Sequence, residues 1–132
     1  MRNGVWALYN DKEYEIIQHD QENYELFTKD PVSMQFGFVL GGNGHYCKQV
    51  RREHISSVYD VRYQAIINGL EFPVFREEDN RLLIGSGLHG PDIIKKYGFV
   101  QVERFEYEKW VGKSEVEKIE EVKVPLWRFP AP

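Results

Sequence analysis

Short runs rich in aromatic and branched residues, each bounded by turn-forming residues, succeed one another along this chain and predict strands. Val5 to Tyr9 and Glu13 to Ile17 form the first pair, separated by Asn10-Asp11-Lys12. Tyr63 to Ile67 and Glu71 to Phe75 form a second pair, separated by Asn68-Gly69-Leu70. Asn-Gly is a strong hairpin signal because both residues tolerate positive φ, which matches the twist of the flanking strands. Asn-Asp carries a weaker form of the same chemistry. Third strands are expected at Tyr24 to Thr28 and Arg81 to Ile84. Proline then opens a linker in each stretch, at Asp30-Pro31 and at Gly90-Pro91-Asp92. The second linker predicts a short helix over 92–97, with Pro91 in its first turn and Gly98 ending it. The first, Val32 to Phe36, predicts only a turn. Further strands follow at Phe36 to Leu40 and Tyr46 to Val50, then at Phe99 to Glu103 and Tyr107 to Val111. The last are Ile55 to Val61 and Val116 to Val124.

The two series are in register. Ala7, Asn10, Glu13 and Tyr14 recur as Ala65, Asn68, Glu71 and Phe72 at an offset of 58. Gly37-Phe38-Val39 recurs as Gly98-Phe99-Val100, and Tyr46, Lys48 and Val50 recur as Tyr107, Lys109 and Val111, at an offset of 61. A three-residue insertion between positions 76 and 98 accounts for the change. The expectation is a mainly β chain with an internal duplication of about sixty residues. Its first repeat covers 1–61, its second 62–124, and a Pro/aromatic tail follows at 125–132. No Pro/Gly/Ser linker separates the repeats, so they are expected to abut as two small SH3-like barrels or to form one composite β structure. The recurring Gly-Phe, tyrosine and lysine positions read as fold determinants, with the lysines pointing outward. Gly41-Gly42-Asn43-Gly44 is a flexible hairpin loop that becomes Arg104-Phe105-Glu106 in the second series, where the two diverge most.

At 132 residues the chain is long enough to bury a core without metal or disulfide. Aromatic residues make up 14% of it, so core volume is ample. The net charge of −4 disfavours an electrostatic grip on nucleic acid, which ranks below a protein as partner. The first 61 residues hold 6 of the 17 basic and 9 of the 21 acidic residues, so neither half hides a basic module. Cys47 is the only cysteine, which suits a reducing compartment. With no signal-peptide pattern and no apolar stretch of membrane-spanning length, a cytoplasmic protein is expected.

Organised chemistry is sparse. The glycines at 41–44 lack the Lys-Ser/Thr and helix that a phosphate loop needs, so a hairpin turn accounts for them. His19, His45, His54 and His89 show no metal-ligand spacing, and no metal or cofactor is expected. No nucleophile motif is present, and Cys47 reads as a small buried hydrophobe. The chain is therefore expected not to be an enzyme, with no catalytic residues to name. Acidic residues cluster at Glu77-Glu78-Asp79, taken as a hairpin tip, and at Glu115, Glu117, Glu120 and Glu121 along the last strand. Charges there protect a strand edge. They equally offer an acidic face to a basic protein. Trp127 and Phe129, in the proline-punctuated tail, either cap a barrel or serve as interface anchors.

In size, acidity, aromatic-rich strands and lack of catalytic motifs, the chain resembles the immunity proteins of bacterial toxin systems. The resemblance implies a cytosolic, non-catalytic protein that binds and neutralises a cognate toxin, often a basic nuclease. It carries no residue assignments. Two other classes stay open. One is a nucleic-acid- or ribosome-associated small barrel using Arg51-Arg52 and Lys95-Lys96 with Tyr97 and Phe105 for stacking. The other is an enzyme with a cleft between the repeats.

Overall fold

The computed structural model describes residues 1–128, with side chains up to Leu126. The protein is mainly β and divides into two compact units. The first holds Arg2–Val61 together with residues 123–128, and the second holds Arg62–Val122 with Met1.

The first unit begins with β1 (Gly4–Tyr9), β2 (Lys12–Gln18) and β3 (Asn23–Thr28), an antiparallel meander. The turn between β1 and β2 is two residues long, with Asn10 at φ 49° and Asp11 at φ 63°. A 3-10 helix at Pro31–Phe36 forms where only a turn is expected from sequence. Pro31 suits its first turn, and the Asp30 carboxylate accepts a hydrogen bond from the Val32 N–H at 3.0 Å. The edge strand β4 (Val39–Leu40) and β5 (Tyr46–Arg51) follow, and β6 (Ser57–Ile67) returns to pair antiparallel with β1. Hydrogen bonding orders this unit β4-β5-β3-β2-β1-β6.

The second unit uses the far end of β6, then β7 (Leu70–Glu78), β8 (Arg81–Gly85), α1 (Pro91–Tyr97), β9 (Val100–Glu103) and β10 (Glu106–Gly112). The order here is β6-β7-β8-β10-β9. The β6–β7 turn is Asn68 at φ 51° and Gly69 at φ 77°. Finally β11 (Lys118–Arg128) pairs with β6 off both paths. Both paths are open among the described residues, so the closure expected of a barrel is not found. They end at β4, only two residues long, and at β9, exposed along its whole length. A short terminal strand limits the edge left open to pairing.

Each unit has its own core. Ala7, Tyr14, Tyr24, Leu26, Phe38 and Val50 pack in the first. Ala65, Phe72, Leu82, Ile84, Phe99 and Val111 pack in the second. Each of these six pairs lies at the sequence offset, 58 before the insertion and 61 after it, while the first core also buries Ile55 and Val58, whose counterparts Val116 and Ile119 are not buried. At the six paired positions the inward face is therefore the same in both units, because pleat alternation leaves only one face for the core.

Two sequence expectations change here. Glu77 and Glu78 are not in a loop: β7 carries them, paired with Leu82 and Arg81, and only Asp79 lies in the turn. Nor is 125–128 a separate tail. The strand β11 runs through Pro125 to Arg128, which proline permits where its missing N–H is not needed by a ladder.

Candidate functional site

The recurring Gly-Phe and lysine positions resolve into one structural device. Gly37 and Gly98 sit in the left-handed region at φ 89° and 73°, each ending a short helix. The Phe38 N–H bonds back to Ser33 O at 3.3 Å, and the Phe99 N–H to Ile94 O at 3.0 Å, so both ends are Schellman caps. Each phenylalanine then drops into its core. Lys48 and Lys109 do not point outward. Lys48 Nζ donates to Phe36 O at 2.8 Å, and Lys109 Nζ donates to Tyr97 O at 2.5 Å. Each ammonium satisfies the carbonyl just before the capping glycine, where a helix end presents unpaired acceptors.

Three of the acidic residues proposed for a partner, Glu77, Glu78 and Glu120, are paired with cations. Glu77 forms an ion pair with Lys113, whose hydrogen bond and charge hold its carboxyl below the usual range. Glu78 binds Arg76 at 3.3 Å and Arg81 at 2.9 Å. Glu120 binds Lys118 at 2.9 Å. The Glu115 carboxylate accepts the Gly112 N–H at 2.6 Å and so closes a 3-10 turn, Lys113–Glu115. Lys113 N–H donates to Asn80 O at 2.8 Å, which brings that turn beside the Glu77-Glu78-Asp79 tip. Glu117 and Glu121 lie along the end of the chain that pairs with β6, the Glu117 N–H donating to Ile66 O at 2.8 Å. Trp127 has its backbone in β11, its side chain outside the described residues, and Phe129 lies outside them altogether. Of the basic pairs, Arg51 lies 3.8 Å from Glu53, and Lys96 lies over the Tyr97 ring. The histidines vary: His89 packs on Phe72 and hydrogen-bonds Glu71 O at 2.7 Å, while His19 and His54 face carboxylates.

A charge cluster in the first unit was not anticipated. Glu13 accepts a hydrogen bond from the Tyr59 hydroxyl, and Arg2 at 3.1 Å and Lys123 at 2.9 Å pair with the same oxygen. Partial burial pushes the Glu13 carboxyl up, but the bonds from Tyr59, Lys123 and Arg2 outweigh it and bring the pKa down to about 2. Lys123 reaches this site from β11, so the cluster ties that strand to β2 and β6. Two cations and a hydroxyl converge on one carboxylate oxygen, which marks a fastening.

The arrangement least explained by packing is the rim formed by β9 and β10 in the second unit. Phe105, at the tip between these strands, takes the left-handed region at φ 68° and is 82% exposed. The corresponding tip residue in the first unit is Gly44, at φ 81°. For a residue with a Cβ that backbone costs roughly 1–2 kcal/mol, and here no burial offsets it. Phe105 borders a groove of about 390 Å³ lined also by Pro73, Phe75, Gly85 and Tyr107. A Cβ at Gly85 would lie 2.5 Å from the Phe75 ring, so a larger residue there would displace that exposed ring. In the first unit the position of Gly85 is taken by Phe27, which meets His45 edge-on at a ring separation of 6.0 Å. Glu106 and Glu108 line the same groove and Glu103 ends β9. These three carboxylates have no ion-pair partner among the described residues.

Residues 1–128 match the model of a family described as uncharacterised conserved protein UCP033725. The chain belongs to that family. No curated protein and no solved structure matches it. No helix among the described residues is long and apolar enough to cross a membrane, and no group of three or more acidic, histidine or cysteine side chains there is placed to hold a metal ion.

Sequence reasoning missed Glu103, Glu106 and Glu108 because they are scattered among apolar residues. The signal was the divergence of this loop: the same positions in the first series are Gly42, His45 and Cys47.

Proposed function

We propose that this chain is a non-catalytic protein-binding module, and that its most concrete form is a cytoplasmic immunity protein that neutralises a basic bacterial toxin. The supporting observation is the β9–β10 rim, where an exposed aromatic on left-handed backbone stands beside unpaired carboxylates. Exposed aromatic anchors with a charged surround are what protein interfaces use. The acidic surface for the partner then lies at Glu103, Glu106 and Glu108, with the ion-paired Glu77, Glu78 and Glu120 serving stability.

The scaffold for this module is read as an internal duplication of an SH3-like unit. The correspondence of six buried positions between the two cores supports it, as does the return of the last strand of the first unit to its first.

The test is co-expression with the product of the neighbouring gene. A 1:1 complex on gel filtration and restored growth of cells carrying that product support the reading. Unrelieved toxicity with both proteins folded and present overturns the toxin form, and measurable turnover by the purified chain overturns the non-catalytic one.

A further inference from the structure

The protein-binding reading leaves open where the partner sits and what part of it is recognised. We infer that the free edge of β9 accepts an extended protein segment as an added strand, one that alternates Lys or Arg with large apolar side chains and is anchored against Phe105. This inference rests on the protein-binding reading and gives it a location.

Four observations converge on one place. First, β9 ends the hydrogen-bonded path of its unit, and its outer edge has no strand partner among the described residues. An unpaired row of N–H and C=O groups is a template for a further strand. Second, Val100 and Val102 are exposed on that strand, and Phe105 follows them at its tip. Third, the tip beside that edge carries Phe105 on left-handed backbone, at φ 68°, where the first unit has Gly44. An apolar side chain from the partner meets Phe105 there.

The fourth observation is charge. Glu103, Glu106 and Glu108 replace Gly42, His45 and Cys47, so the second unit has three carboxylates where the first has none. They are unpaired, while Glu77, Glu78 and Glu120 elsewhere in the same unit are each bound to lysine or arginine. The one cation at the tip, Arg104, lies over the Phe105 ring, 5.2 Å from its centre, and forms no ion pair with a carboxylate among the described residues. An acidic segment would be repelled, a purely apolar one would leave the carboxylates uncompensated, and a basic amphipathic strand satisfies both features.

The experiment is an NMR titration of the full chain with two synthetic heptapeptides, Lys-Val-Lys-Phe-Lys-Val-Lys and the same sequence with Glu for Lys. The expected result is concentration-dependent shifts of amides in 100–108 with the basic peptide, weakening as salt is added, and none with the acidic one. Phe105→Gly, which installs the residue the first unit uses, is expected to weaken that binding at least five-fold while leaving the melting temperature unchanged or higher. Equal shifts with both peptides, shifts confined elsewhere, or no shifts overturn the inference. So does a drop in melting temperature for Phe105→Gly, which would make Phe105 a packing residue. Concentration-dependent shifts of the same amides without peptide would assign the edge to a second copy of this chain and likewise overturn it. A toxin partner that binds Phe105→Gly as tightly as the native chain removes this location and leaves the protein-binding reading intact.

Discussion

Gly44 and Phe105 hold the same place at a hairpin tip in the two units, and both lie in left-handed backbone. The first unit meets that geometry with the residue best suited to it. The second meets it with one of the bulkiest residues, exposed to water. The groove beside the tip shows the same contrast, closed by Phe27 against His45 in one unit and open behind Gly85 in the other. A second cavity follows suit. About 260 Å³ lies beside Ile67, Tyr97 and Lys109 in the second unit, while Tyr9, Lys12 and Phe36 leave about 40 Å³ at the corresponding place in the first. The cores correspond and the rims do not: the first unit fills its rim with its own side chains, and the second leaves its rim open.

The matched cores give the largest expected effect. Leu26→Ala and Ile84→Ala remove fully buried side chains at equivalent positions, and each is expected to cost about 2–5 kcal/mol by urea unfolding. A loss confined to one unit would break the equivalence. The charge cluster, present in the first unit, comes next. The folded Glu13 carboxyl sits at about 2, below its ordinary 4.5, so its contribution is complete above pH 4.5 and disappears as pH falls towards 2. Glu13→Gln is expected to cost about 1–3 kcal/mol at pH 7 and to flatten the acid limb of the stability curve in that window. An unchanged limb would show that the cluster is not formed in solution.

Smaller effects sharpen the contrast further. Lys48→Met and Lys109→Met each leave a helix-end carbonyl unpaired, and about 1 kcal/mol is expected from each; unequal losses would show that the two caps are not equivalent. Gly44→Phe is expected to cost about 1–2 kcal/mol, the mirror of the gain or neutrality expected for Phe105→Gly. Ile67→Tyr copies Tyr9 into the open cavity and is expected to add up to about 1 kcal/mol, read as a rise in melting temperature.

Part of this was legible beforehand because positions recurring at a fixed offset let weak signals be read twice. Asn10-Asp11 is a poor hairpin signal alone, but Asn68-Gly69 at the same offset identifies it. Gly37 and Gly98 could be assigned to the fold on recurrence, though not to a Schellman cap, since their lysine partners come from a strand eleven residues further on. The pairing of acids was not legible. Glu77 and Glu106 look alike in sequence, and only the strand register that sets Lys113 beside the first and nothing beside the second separates them. Proline misled at position 125, where a strand off the main path tolerates a residue that central strands exclude.

The fastening of β11 to Glu13 has a consequence for how the molecule is made. The first unit is discontinuous in sequence: its ion cluster joins Glu13 to Lys123, with the whole of Arg62–Val122 lying between them along the chain. Completing it takes a long-range closure, a kind of contact that slows folding compared with the local hairpins around it.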